Sequence, residues 1–363
     1  MFNMKKKLVI VSKEQFGYQI DSYKYCEQLN GEFDITYICF DRNLSKIVND
    51  KINVIYIQFK RGLLYRFLYF VLKVNEILNA TNYDVVFCIY FRFCFLLPLV
   101  KGNQKFLLDI RTGSVSPSRL KRFISNIELR VNALFFNNIT VISEGVAKKL
   151  KLSRFEVLPL GADSNLEVNK QVINFNRVEL LYVGTLTNRR IHETVIAYGN
   201  ILNSKHLDIL GDYTIIGYGN EEDVNKIKDE IIRYGLERKV HLIGRIPHDE
   251  LPKFFKSNTV GVSYVPVTDY YTHQPPTKTY EYLMNGLACI ATDTAENKKL
   301  INKNNGILCE DSINGFEKAL EWMCENVNSF NRFKVANTIQ EYSWENIVHK
   351  RLKSILLKVI MEV

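Results

Sequence analysis

A chain of 363 residues, 47% hydrophobic and 24% charged, carries enough apolar material for two cores of ordinary domain size rather than one. Gly and Pro are sparse, at 18 and 8, while Tyr and Phe are abundant, which excludes collagenous, linker-like or disordered character over any long stretch. The net charge of +9 is lopsided: residues 1–163 hold 24 Lys and Arg against 14 Asp and Glu, and residues 164–363 hold 24 against 25.

From the N-terminus, Met4-Lys5-Lys6-Lys7 runs directly into Leu8-Val9-Ile10-Val11, an apolar run of strand length and too short for the core of a secretion signal. Seven scattered cysteines, never spaced C-x-x-C, suggest neither a disulfide framework nor a zinc site, so reduced thiols in the cytoplasm are expected. The longest apolar stretch, Val85–Val100, is broken by Arg92 and Pro98 and falls short of the ~20 residues that span a bilayer. A surplus of basic residues without any recognition module argues against nucleic acid as a partner.

Buried-type strands alternate with helix-length segments at Lys7–Ser12, Phe33–Cys39, Asn53–Ile57, Asp84–Cys88, Lys105–Asp109, Ile139–Ser143 and Phe155–Pro159. Such alternation predicts a parallel sheet covered on both faces. The series pauses over the polar Ser164–Asn176 and resumes with Val178–Gly184, then Tyr213–Ile216, Val240–Ile243, Val260–Ser263 and Ala288–Ala291. The expected organisation is α/β: two Rossmann-like, doubly wound domains, 1–163 and 164–342, facing across a cleft. A closing amphipathic helix over 343–363 returns to the first domain. Open sheets of this kind bind ligands beyond the carboxyl ends of their strands.

The most informative stretch is Pro275-Pro276-Thr277-Lys278-Thr279-Tyr280-Glu281-Tyr282-Leu283-Met284-Asn285-Gly286. Prolines suit a helix start, and the free amides that follow, at Thr277 to Thr279, can face an anion such as a diphosphate. Lys278 would add a point charge, and Glu281 could accept hydrogen bonds from vicinal ribose hydroxyls. A solvated Lys and Glu on an ordinary helix fit the spacing equally well.

A Pro-x-Lys-x-x-Glu-Tyr-x-x-x-Gly run ahead of an apolar strand resembles the donor-site helix of family-4 retaining glycosyltransferases, which have the GT-B fold. Tyr182-Val183-Gly184-Thr185-Leu186 with Arg189-Arg190 resembles the family's phosphate loop, Arg190 standing where its Lys is usual. Ile215-Ile216-Gly217-Tyr218-Gly219 and Val240–Pro247, which includes Arg245, resemble two strand ends that line the base pocket. Val157–Asp163 resembles the interdomain segment, and Tyr342–Glu345 the start of the C-terminal helix. Two departures stand out: His273 occupies the position of the first acid in Glu-x₇-Glu, and Thr185 that of the usual Arg. Arg189, Arg190 and Lys278 would then neutralise the diphosphate together.

In the first domain, Gly17 follows the first strand, where a glycine permits either close approach to a ligand or a tight turn. Asp109 and Arg111 follow a buried strand, where they would face the cleft or form a salt bridge. The resemblance implies transfer from a UDP- or GDP-linked sugar to a lipid-linked or oligosaccharide acceptor in surface-polysaccharide synthesis, with retention and no metal or other cofactor. Lys60–Lys73 mixes basic and aromatic residues, and Arg119, Lys121, Arg122 and Arg130 form a second basic group; both suit an anionic membrane, here the inner face of the cell membrane. A sugar-nucleotide epimerase or hydrolase on the same scaffold, and an inactive transferase-like assembly partner, are the competing readings.

Overall fold

The computed structural model describes residues 5–100, 104–166, 174–205 and 208–362. Met4, and residues 167–173 of the polar stretch at the expected domain boundary, lie outside them. Two compact units result: Met1–Gly161 together with Trp344–Val363, and Ala162–Ser343. By sequence the first unit holds 28 Lys and Arg against 15 Asp and Glu, and the second 20 against 24, so the basic surplus belongs to the first.

The first unit is built on a seven-stranded sheet of β1 (Lys6–Ser12), β2 (Phe33–Asp41), β3 (Ile52–Gln58), β4 (Val85–Ile89), β5 (Phe106–Ile110), β6 (Asn138–Val141) and β7 (Glu156–Val157). The order is β3-β2-β1-β4-β5-β6-β7 and every pairing is parallel. Leu8–Val11 and Val85–Ile89 are buried on both faces, as unbroken apolar runs in a two-sided sheet must be. The second unit has β8 (Val178–Thr185), β9 (Leu210–Tyr218), β10 (Val240–Gly244), β11 (Val260–Ser263), β12 (Ala288–Thr292) and β13 (Gly306–Cys309). They are ordered β10-β9-β8-β11-β12-β13, again all parallel. Both units are therefore Rossmann-like, with the strand order reversing beside β1 and beside β8. The sequence reading did not anticipate β13, whose four residues are too few for a pattern to show.

Trp344–Met361 is helical, with a π-helical stretch at Ile347–Leu352. It packs in the first unit: Trp344 is buried, its ring 5.9 Å from that of Tyr25, and a Cβ on Gly161 would stand 2.5 Å from the Trp344 ring. All seven cysteines are buried and unpaired, and among the described residues no helix is long and apolar enough to cross a membrane. Trp344→Ala empties a large site in this packing and is expected to cost the first unit about 3–5 kcal/mol, read by chemical denaturation. A change below about 1 kcal/mol would contradict this account of how the C-terminal segment is held.

Candidate active site

The carboxyl end of β8 leads into a loop that its neighbours pin at four points. Leu186 N donates to Tyr218 O at 2.9 Å, and Asn220 N donates to Thr187 Oγ1 at 2.8 Å. Asn188 N donates to Asp223 Oδ2 at 2.9 Å, and Tyr182 Oη donates to Thr185 O at 2.6 Å. Close approach between the β8 loop and the end of β9 requires glycine: a Cβ on Gly217 would meet Gly184 O at 1.9 Å, and one on Gly219 would meet Leu186 Cβ at 2.9 Å. These two glycines therefore shape the loop, while Thr185 stands exposed at its start.

Lys278 enters this place from the second residue of the helix Thr277–Met284. Its Nζ lies 3.8 Å from the Tyr182 ring centroid, and a Cβ on Gly184 would come within 3.2 Å of it. Gly184, at φ 146°, leaves the room that the ammonium occupies. The nitrogen is buried and makes no hydrogen bond. Burial, reinforced by the charge of Arg189 and opposed by Glu281, holds the Lys278 pKa well below its usual value. Pro276, the N-cap, provides no side-chain acceptor for the first turn, so the positive end of the helix is uncapped by any side chain. Thr277 is exposed at that end. Thr279 turns inward instead: its Oγ1 donates to Asn297 Oδ1 at 2.9 Å and lies 2.7 Å from Ser263 Oγ, and its N–H donates to Pro276 O. The Thr279 amide, expected to be free to face an anion, is thus engaged at the helix start, and its side chain is engaged in the core.

The two adjacent arginines part company. Asn188 and Arg190 both adopt left-handed φ, 56° and 54°, on either side of Arg189. Arg189 stacks over Tyr271 at 4.2 Å and has a buried Nη1 without a partner. Arg190 is committed to carboxylates: it pairs with Asp311, and with Glu193 at 3.3 Å. Asp311 also accepts from Val267 N at 2.8 Å, and Glu193 accepts from Tyr264 Oη at 2.7 Å, so this cluster ties the loops after β8, β11 and β13 together. At the ends of β9 and β10, Arg245 covers the exposed Tyr218 ring at 5.0 Å. His273 is half-buried in the turn that follows β11. Tyr182 and Tyr218 stand in the sequence motifs without a role, and Tyr271 lies outside them, since a tyrosine carries no local signal of the cation that will lie on its ring. Among the described residues, no cluster of three or more His, Cys, Asp and Glu is placed to hold a metal ion.

Two residues of the first unit differ from expectation or settle one. Asp109 is fully buried rather than facing a cleft: its Oδ1 accepts from Thr140 Oγ1 at 2.8 Å, and Arg111 stands 3.8 Å away while bonding Asp21 at 2.7 Å and Leu158 O at 2.6 Å. No substrate could reach it, so it is an element of the core. Gly17, at φ 87°, turns the chain after β1, and a Cβ there would collide with Ile47 Cδ1 at 2.2 Å.

Residues 163–339, nearly all of the second unit, match the family model described as glycosyl transferases group 1. No curated protein sequence matches the chain significantly. Among solved structures, sucrose-phosphate synthase from Thermosynechococcus elongatus is 16% identical, with a TM-score of 0.74 over 98% of this chain and 100% of that one. Anabaena HepE, in complex with UDP and glucose, is 13% identical with a TM-score of 0.69 over 96% and 99%. The lipopolysaccharide outer core galactosyltransferase WaaB is 16% identical with a TM-score of 0.68 over 97% and 99%. At such identities the likeness carries the fold, which is that of the GT-B glycosyltransferases.

Burial pushes the Asp109 carboxyl up to about 6, against the opposing pull of Arg111. A raised folded pKa means that stability from this group is full below about pH 4, where the unfolded chain is also protonated, and is lost as pH rises through about 6. Relative to wild type, Asp109→Asn should therefore gain about 2–3 kcal/mol between pH 4 and pH 7 in denaturation experiments. A difference between the two proteins that does not vary with pH would refute this.

Proposed function

We propose that the protein transfers a sugar from a nucleoside diphosphate sugar to a saccharide acceptor, with the donor diphosphate seated at the carboxyl end of β8. The observation that carries the proposal is the pair of buried, unpartnered cationic atoms, Lys278 Nζ and Arg189 Nη1, beside the uncapped start of the Thr277 helix. A second charge beside the Arg189 guanidinium is disfavoured while the site is empty and becomes favourable once an anion joins them. A diphosphate leaving group supplies that anion, and its charge grows as the glycosidic bond breaks, so these cations act on the transition state more than on the ground state. Arg190 then keeps the loops in register from its carboxylate cluster, and the Tyr218–Arg245 surface is suited to the nucleoside base.

Several finer features rest on the family resemblance. We read the transfer as retaining and independent of metal, the departing phosphate taking the acceptor proton, and we take UDP- or GDP-linked sugars as donors. Glu281 is assigned to the ribose hydroxyls and His273 to the donor sugar. A lipid-linked acceptor in surface-polysaccharide synthesis at the inner face of the membrane fits the basic first unit. The fold shared with WaaB, a lipopolysaccharide outer core galactosyltransferase, points the same way.

Calorimetry with UDP and GDP tests the donor site. Lys278→Ala and Arg189→Ala should each weaken the preferred nucleotide about 10- to 100-fold, as loss of a charged hydrogen bond does. Unchanged affinity in both would end the assignment. Because the empty site disfavours the Lys278 ammonium and a diphosphate favours it, nucleotide binding should take up a proton, and affinity should fall as pH rises. Titrations in buffers of different ionisation enthalpy read this directly; proton release would contradict it. Transfer assayed with a panel of nucleotide sugars should survive EDTA.

A further inference from the structure

The helix Arg119–Ala133 is folded inside out. At about 100° per residue, Leu120, Phe123, Ile124, Ile127, Val131 and the following Leu134 fall within an arc of roughly 100°, the width of a core-facing stripe. That stripe faces solvent: Leu120 is 67%, Phe123 63% and Leu134 75% exposed. The residues turned inward, on the opposite side, include the polar Arg122 and Asn132. Both are satisfied there: Arg122 Nη1 donates to Ser116 O at 2.6 Å and Pro117 O at 3.0 Å, and Asn132 Oδ1 accepts from Phe95 N at 3.3 Å. The helix is thus anchored by these polar bonds and by the buried Leu129 and Ala133, and leaves its larger apolar face unpartnered, which soluble surfaces seldom do.

We infer that this face inserts into an anionic lipid bilayer. Charge identifies the occupant. Arg119 and Arg130 border the apolar arc on one edge and Lys121 on the other, all exposed. The helix's single acid, Glu128, is bound away by Arg92. Two copies of the chain meeting through this face would set these cations against each other, whereas anionic headgroups would complement them. The helix Leu63–Ala80 before it also shows apolar residues to solvent, Leu64, Tyr65, Leu68 and Leu72, and is told apart by its cations. The helix Leu63–Ala80 buries Phe70, Val71, Val74 and Leu78, and its neighbouring cations are engaged locally, Arg66 over Phe59 at 3.8 Å and Lys73 with Glu76 at 2.6 Å. Residues 91–95 bridge the two helices, through Phe70–Phe91 and Phe95–Phe135 ring contacts, so the earlier helix supports the inserting one.

This inference deepens the membrane part of the proposed function, and vesicle binding is read separately from nucleotide binding, so that either can fail alone. The full chain is sedimented with vesicles of phosphatidylglycerol and phosphatidylcholine, or of phosphatidylcholine alone, at about 0.1 M salt, where surface charge still reaches ~10 Å. Binding to the anionic vesicles only is expected. At least a roughly tenfold loss should follow in Phe123→Glu/Ile124→Glu and in Arg119→Glu/Lys121→Glu/Arg130→Glu, since each removes apolar burial or headgroup attraction. Because a variant could misfold, Phe123→Trp gives an independent measure: its fluorescence, less that of the wild-type chain, should shift to the blue when anionic vesicles are added. Indifference of the wild-type chain to anionic vesicles, an unshifted emission from the Phe123→Trp variant, or a dimer in solution that Phe123→Glu dissolves would each overturn the inference.

Discussion

Lys278 brings its amine to the end of β8 and meets there a tyrosine face, a glycine and another cation, with Glu281 near enough to be felt but no hydrogen-bond partner. In a folded protein such a group is tolerated only if its surroundings are held by other means, and the second unit supplies them. Four hydrogen bonds pin the loop after β8, while the Arg190 cluster ties that loop to those after β11 and β13. The tyrosine quadrupole under the ammonium offsets part of its desolvation without supplying a counter-charge. On the proposed function, this is a preformed place for the donor diphosphate, in which little has to rearrange when it arrives. Preorganisation of this kind is where electrostatic catalysis gains most, because the donors are already oriented as charge develops.

The two units use buried charge in opposite ways. In the first, Asp109, Arg111 and Asp21 neutralise one another as ion pairs inside the core, although Asp109 Oδ2 accepts no hydrogen bond. In the second, Lys278 Nζ and Arg189 Nη1 are left without partners at the strand ends, so the charge remains available. Apolar surface is shared out unevenly within the first unit: the helix Leu63–Ala80 buries Phe70, Val71, Val74 and Leu78 and exposes Leu64, Tyr65, Leu68 and Leu72, whereas Arg119–Ala133 buries only Leu129 and Ala133 of its apolar residues.

Much of this architecture could be read directly from the chain. Unbroken apolar runs such as Leu8–Val11 and Val85–Ile89 announce a sheet buried on both faces, and the Pro-Pro-Thr-Lys sequence announces a helix start, because both signals are local. Adjacent residues with identical chemistry are another matter. Nothing in Arg189-Arg190 says which guanidinium meets carboxylates and which lies on a ring; left-handed backbone at Asn188 and Arg190 sends them apart. Asp109 ends a strand at a position that suits a site, yet its side chain enters the core, where Thr140 and Arg111 receive it. Thr279 sits in the most informative stretch and still turns to Ser263 and Asn297.

By itself, then, the order of residues determined two parallel sheets and a family likeness across the second, since periodicity and motif spacing are properties of neighbours along the chain. Only the tertiary structure decided which cations remain unpaired, which glycines make room for another loop, and which amphipathic helix shows its apolar side to the outside. Those outcomes depend on partners far away in sequence. Strand crossovers and loop packing bring such partners within hydrogen-bonding or van der Waals range, and no local pattern encodes that proximity.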